Sequence, residues 1–188
     1  MGSLLRITPQ SYFEYGRNIQ LVKAAMASMT KNIETGSLKT RWNACHATSN
    51  MLKNAAFPIG DGYPWTEAVY GALAQAVRQC RNYKVKINAC LALATPVARD
   101  KYGRQFETVL QAILSAWEAC HKEEDGEFQE YRYREQLKDQ VREKQCRLWH
   151  TTVWGIGISH GLGQRYVRHY ITSKTSSSLK YLSRGVVQ

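Results

Sequence analysis

A repeated motif is the feature of this 188-residue chain that most constrains its fold. The motif occupies residues 39–47 with the sequence KTRWNACHA, and it returns at residues 84–92 as KVKINACLA, without a gap. The offset between the copies is 45 residues, and repeats of about 40–47 residues are typical of HEAT and armadillo arrays. In such arrays each helix pair buries its apolar face against the next pair. We therefore predict an all-α fold, a HEAT/armadillo-like helical solenoid.

The segments between and around the two copies have helical periodicity. Apolar residues recur at i, i+3 and i+4 within 65–80 and 106–120, and more weakly within 22–33, so each segment presents one apolar face. We expect Leu73, Val77, Leu110 and Leu114 to fill the space between layers. The predicted helices cover roughly 12–34, 38–54, 65–81, 83–95, 103–121 and 130–150. They alternate as A and B helices in about two and a half to three pairs, with the motif on the B helices.

Capping and helix-breaking residues mark the predicted boundaries. Ser37 and Asn82 precede the motif helices at N-cap positions. Pro64 fits the first turn of a helix, and Pro96 is expected to end the second motif helix.

The chain divides at about residue 154 into two regions. We predict a HEAT/armadillo-like helical repeat domain over 1–154 and a basic, largely irregular tail over 155–188. The tail is rich in Gly and Ser, and it contains five Lys or Arg residues and no Asp or Glu. No stretch reaches the roughly 18 apolar residues of a membrane span, and no signal peptide is recognisable. We therefore expect an intracellular protein, cytoplasmic or nuclear.

The sequence has no recognisable catalytic constellation. The five cysteines include no CxxC pair, so we interpret them as reduced, partly buried small hydrophobic residues. Cys146 and His150 have a spacing that suits two zinc ligands, but two further ligands are not evident. The glycine run 155–163 lacks the strand and the Lys-Ser or Lys-Thr of a phosphate loop. We predict no catalytic residue, no cofactor and no metal, and hence a protein that is not an enzyme.

Basic residues cluster at the beginning of both motif helices. In a stacked array, equivalent positions line up along one edge, where these charges form a ridge for an acidic peptide or a phosphate backbone. The alternative is that they are ordinary solvated side chains at helix ends. The candidate residues are Lys39, Arg41, Arg78, Arg81, Lys84 and Lys86.

Asparagines of the B helices and two tryptophans are further candidates for partner binding. Asn43, Asn50 and Asn88 can hydrogen-bond the backbone of a bound peptide, or they can tie neighbouring helices together. Trp42 and Trp65 can anchor a partner or fill the core between repeats.

Several short runs of the chain resemble one protein family. These runs are 32–36 (NIETG), 41–45 (RWNAC), 50–54 (NMLKN), 58–60 (PIG), 64–65 (PW), 80–87 (CRNYKVKI) and 102–103 (YG). The chain from about 15 to 150 is similar to the C-terminal armadillo-like helical region of the HEAT repeat-containing protein 6 family. This resemblance implies an armadillo-like superhelix, and the family supplies no catalytic residues. The chain departs from the family at its beginning and beyond Trp154, which suggests a fragment or the end of a longer array.

These observations favour a protein-binding helical scaffold without catalytic activity. The formal net charge of +11 favours acidic partners. The alternative function is nucleic-acid binding through the basic edge and the basic tail, where cations and aromatic residues interleave in 165–170 (RYVRHY).

Overall fold

The computed structural model of the protein describes residues 1–122 and 131–142. Within these ranges the chain is all-α and contains no strand, which confirms the predicted class. Residues 131–142 are helical and form α8. Two 3₁₀ turns, Arg99–Lys101 and Gly103–Gln105, precede α7. The other helices are α1 (Gly2–Ile7), α2 (Gln10–Glu14), α3 (Gly16–Thr35), α4 (Leu38–Leu52), α5 (Thr66–Gln79), α6 (Tyr83–Leu93) and α7 (Phe106–Lys122).

Most predicted boundaries agree with the observed ones to within a few residues. The Ser37 side chain accepts a hydrogen bond from the Thr40 backbone N–H, and the Asn82 side chain accepts one from Val85, so both predicted N-caps are confirmed. The single helix expected over 12–34 is instead divided between α2 and α3, because Tyr15 has extended backbone angles. Pro64 lies before the N-cap Trp65, outside the first turn that it was predicted to occupy.

The start of the predicted 103–121 helix is also different. It is replaced by 3₁₀ turns, in which Gly103 has the left-handed φ of 52°. A Cβ at Gly103 would meet the Asp61 carboxylate, so the backbone approaches that side chain as only glycine allows.

The two helix pairs that carry the motif are neighbours. α3 packs against α4, and α5 packs against α6. The pairs meet twice, because α4 contacts α6 and α5 contacts α3. α5 also contacts α7 on the following segment, which places α5 at the centre of the helical assembly.

The motif alanines and cysteines face the core in both copies. Ala44 and Ala89 are buried, and Cys45 and Cys90 are fully buried at equivalent positions. The predicted apolar stripe on α5 is also confirmed. Leu73 is completely inaccessible to solvent, and Val69, Ala76 and Val77 on the same side of the helix are buried. Leu110 and Leu114 of α7 are only half-buried, so they fill the interlayer space less than predicted. The core is continuous, and Leu137 and Val141 of α8 belong to it.

The N-terminal helix α1 is an element that periodicity did not predict. It packs against α4, and a Cβ at Gly2 would collide with the backbone carbonyl of Ala47. The Asn54 amide donates hydrogen bonds to the carbonyls of Leu5 at 2.9 Å and Thr8 at 2.8 Å. Asn54 thereby satisfies carbonyl groups at the C-terminal end of α1 that have no partner within the helix.

The loop between α4 and α5 is part of the core. The Trp65 indole donates a 2.8 Å hydrogen bond to the Pro58 carbonyl, and the Thr66 hydroxyl donates one of 2.7 Å to the Gly60 carbonyl. Trp65 is buried, so of the two proposed roles its position fits core packing. None of the helices in the described residues is both long enough and apolar enough to cross a membrane.

Candidate functional site

Equivalent positions of the two motif copies form one surface, which we name the motif face. On α4 it consists of positions 39, 43, 46 and 50, and 45 residues later it consists of 84, 88, 91 and 95. Residues spaced by four and three lie on one side of a helix, and Thr95 follows the end of α6 by two residues. Each of these eight residues is exposed or half-buried, whereas Ala44, Cys45, Ala89 and Cys90 between them are buried. The repeat therefore defines a common outward surface as well as a common core.

The predicted basic ridge is only partly available to a partner. Lys39, Arg78 and Arg81 are exposed, as the ridge hypothesis requires. However, Arg41 Nε donates a 2.8 Å hydrogen bond to the Ile33 carbonyl at the end of α3. Arg78 Nη2 donates one of 3.2 Å to the Thr108 carbonyl on α7. These two guanidinium groups connect neighbouring helices, so a structural role must be added to the binding role predicted for them.

Lys84 lies between two aromatic rings. Its Nζ is 4.8 Å from the centroid of the Trp42 ring on α4 and 5.3 Å from that of Tyr133 on α8. Lys86 Nζ lies 5.6 Å from the Tyr83 ring centroid. Cation–π contacts of this kind contribute about 0.5–2 kcal/mol each. Lys84 thus joins α4, α6 and α8, and the half-buried Trp42 serves as the platform for its ammonium group.

The three predicted asparagines form hydrogen bonds within their own helices. The Asn88 amide donates to the Lys84 carbonyl at 2.8 Å, and Asn43 Oδ1 accepts the Trp42 indole N–H at 2.6 Å. The Asn50 amide bonds to the His46 ring at 3.1 Å. Within the described residues, none of these bonds joins two helices. The prediction that the asparagines tie neighbouring helices together is therefore wrong. Binding of a peptide backbone stays a prediction.

Other residues make the interhelical hydrogen bond that was predicted for asparagine. The hydroxyls of Ser49 on α4 and Thr95, two residues after α6, lie 2.9 Å apart. The Thr95 hydroxyl also lies 2.6 Å from the Leu91 carbonyl. Thr95 lies 45 residues after Asn50. Extending the repeat beyond its nine positions would therefore have identified Thr95 from the sequence.

The segments that form the motif face contain no carboxylate side chain. Neither 35–60 nor 68–99 includes an Asp or Glu, and together these segments contain α4, α6 and most of α5. Their cationic residues are therefore not neutralised within their own segments. These cations are Lys39, Arg41, Lys53, Arg78, Arg81, Lys84, Lys86 and Arg99.

An open cavity of about 430 Å³ lies at the carboxyl ends of α4 and α6. Leu91 and Thr95 of the motif face contribute to its lining, so the face continues into the cavity. Its apolar lining also includes Val97, which is 80% exposed. Lys53 and Lys101 lie at the same cavity. The sequence analysis did not predict this cavity. The feature of the sequence that indicates it is Leu91, an apolar residue at the position where the first copy has His46.

Two buried tyrosines hold the segment that forms one wall of the cavity. The Tyr70 hydroxyl donates to the Lys101 carbonyl at 3.1 Å, and the Tyr102 hydroxyl donates to the Pro96 carbonyl at 3.0 Å. Burial raises the pKa of both phenols, so both stay neutral hydrogen-bond donors at physiological pH. The segment 96–101 is thereby fixed against α5.

A second open cavity lies near Asp61, Glu67 and Arg104. Asp61 Oδ1 accepts the Arg104 backbone N–H at 2.7 Å, which gives this carboxylate a role in holding two loops together. Residues 1–122 and 131–142 contain no group of three His, Cys, Asp or Glu side chains that could hold a metal ion. Cys146, His150 and the tail 155–188 lie outside the described residues.

The structure shows three of the five cysteines to be buried thiols. Cys45, Cys80 and Cys90 are free and buried, in agreement with their interpretation as small hydrophobic residues. Burial raises the pKa of the Cys45 thiol to about 12, against a smaller opposing effect of Arg41. A thiol in this environment is protonated at neutral pH and is a poor nucleophile.

Among known proteins, the chain has a distant relative that is much longer than itself. No protein-family model matches the chain, and no solved structure matches it. An uncharacterized protein of Dictyostelium discoideum is 33% identical over 129 residues. The alignment covers 61% of this chain and 8% of that protein. The chain is therefore similar to a small part of a much longer protein.

Proposed function

We propose that the chain is a helical-repeat scaffold of the HEAT/armadillo type that binds protein partners and has no catalytic activity. The observation that carries this proposal is the side-by-side packing of the two motif helices, α4 and α6. Equivalent residues face the core in both copies, and equivalent residues face outward. Stacked repeats that build one continuous outer surface are the usual design of scaffold proteins.

Three further observations support a repeat array. The α3–α4 and α5–α6 pairs are in contact through both of their helices. The contact of Lys84 on α6 with Tyr133 on α8 supports the hypothesis that α8 is a third B helix. The relative is far longer than this chain, which fits the hypothesis that the chain corresponds to a fragment or the end of a longer array. On the basis of the motifs quoted above, we also propose that the chain is related to the HEAT repeat-containing protein 6 family.

Affinity capture with two matched charge reversals tests the scaffold proposal. Lys39→Glu combined with Arg81→Glu changes two exposed cations near the motif face. Lys23→Glu combined with Lys31→Glu changes two exposed cations on α3 and is the control. Arg41 and Lys84 are avoided because their contacts support the fold. We expect proteins retained by the wild type and by the control to be lost with Lys39→Glu/Arg81→Glu. Identical retention by all three, or no retained protein, would contradict the proposal.

Nucleic-acid binding is the second candidate, and the lack of carboxylates in 35–60 and 68–99 favours it. Affinity for nucleic acid falls steeply with salt because bound cations on the phosphates are released. Fluorescence anisotropy with a labelled single-stranded oligonucleotide at rising salt measures this dependence. Absence of binding at low salt would eliminate this candidate.

A further inference from the structure

We infer that the motif face binds an extended acidic segment of a partner protein, with one large apolar side chain of that segment entering the cavity beside Leu91 and Val97. This inference rests on the proposed scaffold function and adds the chemistry of the partner. It follows from the continuity of the motif face with the cavity, from the lysines at both of its ends, and from the missing carboxylates.

The dimensions of the motif face match a short extended segment. Lys39 and Lys53 lie at opposite ends of α4, about 21 Å apart at 1.5 Å per residue of helix. An extended chain advances about 3.3 Å per residue, so roughly six residues cover this length. A segment of that size can reach from the amino ends of the motif helices to the cavity.

Positive charge lies at both ends of this path. Lys39 stands at the amino ends of the helices, where the helix dipole also favours an anion. Lys53 and Lys101 stand at the cavity, where their ammonium groups bond to the Asn50 side chain at 3.1 Å and to the Phe57 carbonyl at 3.2 Å. Among the described residues, neither lysine forms a salt bridge with a carboxylate. Carboxylates of a bound segment can therefore pair with these lysines.

The cavity suits an apolar side chain. Its volume of about 430 Å³ lies within the roughly 300–1,000 Å³ range of ligand pockets. Leu52, Ile59, Leu91 and Val97 form apolar parts of its lining. Covering the exposed Val97 and the half-buried Leu91 removes apolar surface from water, which favours association.

The asparagines of the motif face can serve the backbone of the bound segment. Asn43 Nδ2 makes no hydrogen bond in the part of the chain that the structure describes, and the Asn43 side chain is exposed. An amide N–H in this position can donate to a peptide carbonyl. The observed bond of Asn43 Oδ1 to the Trp42 indole holds the amide in a defined orientation.

These features favour a peptide over a single-stranded nucleic acid. Base stacking requires accessible aromatic faces, but Lys84 already lies over both Trp42 and Tyr133. Apart from Lys53 and Lys101, the cavity offers a phosphate backbone mainly apolar walls such as Leu91 and Val97. An acidic peptide with an apolar residue uses both the lysines and the cavity.

Selection from a phage-displayed library of random peptides, about eight residues long, tests the inference on the full chain. We expect the selected sequences to share two or more Asp or Glu residues and one large apolar residue. A fluorescein-labelled peptide of the selected sequence is then measured by anisotropy. Lys39→Glu/Lys53→Glu should weaken its binding at least about tenfold, because both ends of the path become repulsive. Lys23→Glu/Lys31→Glu should change it less than about twofold.

The cavity has its own matched pair of tests. Val97→Ser removes an exposed apolar wall without a change of charge, and it should weaken binding about fivefold. Replacing the apolar residue of the peptide with Ser should weaken binding to the wild type similarly. The same peptide change should have little further effect on the Val97→Ser variant, since the two changes remove one contact.

Four results would overturn the inference. They are selected peptides without acidic residues, the absence of any selected peptide, an equal loss with the α3 control variant, and a single-stranded oligonucleotide that binds the motif face more tightly than the peptide. If whole proteins are nevertheless captured and lost with Lys39→Glu/Arg81→Glu, the scaffold proposal survives and only the acidic-segment inference fails. If capture also fails, both proposals fail.

Discussion

The two motif helices α4 and α6 share five identical residues over nine positions, yet they use their outward residues differently. Inward, Cys45 and Cys90 are both fully buried. Outward, Lys39 is exposed, whereas its equivalent Lys84 is held between two aromatic rings. The inward positions are alike because both helices contribute to one core. The outward positions differ because each helix has different neighbours.

The same contrast recurs at a second pair of equivalent positions. His46 is exposed and hydrogen-bonds to Asn50, while its equivalent Leu91 lines the cavity. A polar ring is stable in water, and an apolar side chain is stabilised by walls that exclude water. Sequence similarity between repeats therefore indicates shared packing, and the differences between repeats indicate where a binding surface can form.

The largest expected effect comes from a residue outside both copies, on the helix α5 that lies between them in the chain. Leu73 is completely buried on α5, which contacts α3, α6 and α7. Leu73→Asp places an unpaired carboxylate there and removes a large apolar side chain, so we expect a loss of at least about 4 kcal/mol. Urea denaturation followed by circular dichroism should show one cooperative loss of helix. Full helicity and unchanged thermal stability would refute the assigned packing.

Alkaline pH tests the buried thiol of the first copy. The Cys45 pKa is about 12 in the folded chain because of burial, and 9.0 is its ordinary value. Between these values the unfolded thiol loses its proton while the folded thiol keeps it, so stability falls as pH rises. We expect a loss on the order of 2 kcal/mol between pH 8 and pH 10.5. Denaturation midpoints across this range measure the loss, and Cys45→Ala should reduce the slope. Tyr70 and Tyr102 act in the same direction, so some slope should remain.

Replacing a small core residue with a larger one, at equivalent positions of the two copies, compares how tightly each copy is packed. Ala89 is completely buried, whereas Ala44 retains 8% exposure. Ala89→Leu should destabilise the fold by about 1–3 kcal/mol, and Ala44→Leu should cost less because its surroundings have more room. Urea denaturation of both variants gives the two values. A larger loss of stability for Ala44→Leu than for Ala89→Leu would show that the burial of the alanine does not determine the cost of a larger side chain.

The smallest expected effect concerns the two motif lysines. Lys84→Met keeps the length of the side chain and removes its charge from between Trp42 and Tyr133, so we expect a loss of about 1 kcal/mol. Lys39→Met changes an exposed residue and should alter stability by less than about 0.5 kcal/mol. Equal effects of the two substitutions on the thermal midpoint would contradict the view that Lys84 supports the fold while Lys39 does not.

The all-α class, the motif helices and their caps were predictable because these features depend on local spacing. Ser37 and Asn82 cap helices through bonds three residues away, and the buried alanines and cysteines follow from helical periodicity. The division at Tyr15 and the short helix α1 were not predictable. α1 is only six residues long and is held by its packing on α4 and by Asn54.

The candidate site divides in the same way. The sequence by itself identified the basic and amide residues that recur every 45 residues, because recurrence and helical spacing are properties of the chain order. Only the tertiary structure decided that Arg41 and Arg78 bond to other helices, that Lys84 lies between rings, and that Leu91 and Val97 line one cavity. Each of these outcomes depends on contacts between residues distant in the chain, and such contacts are set by how the helices pack against one another.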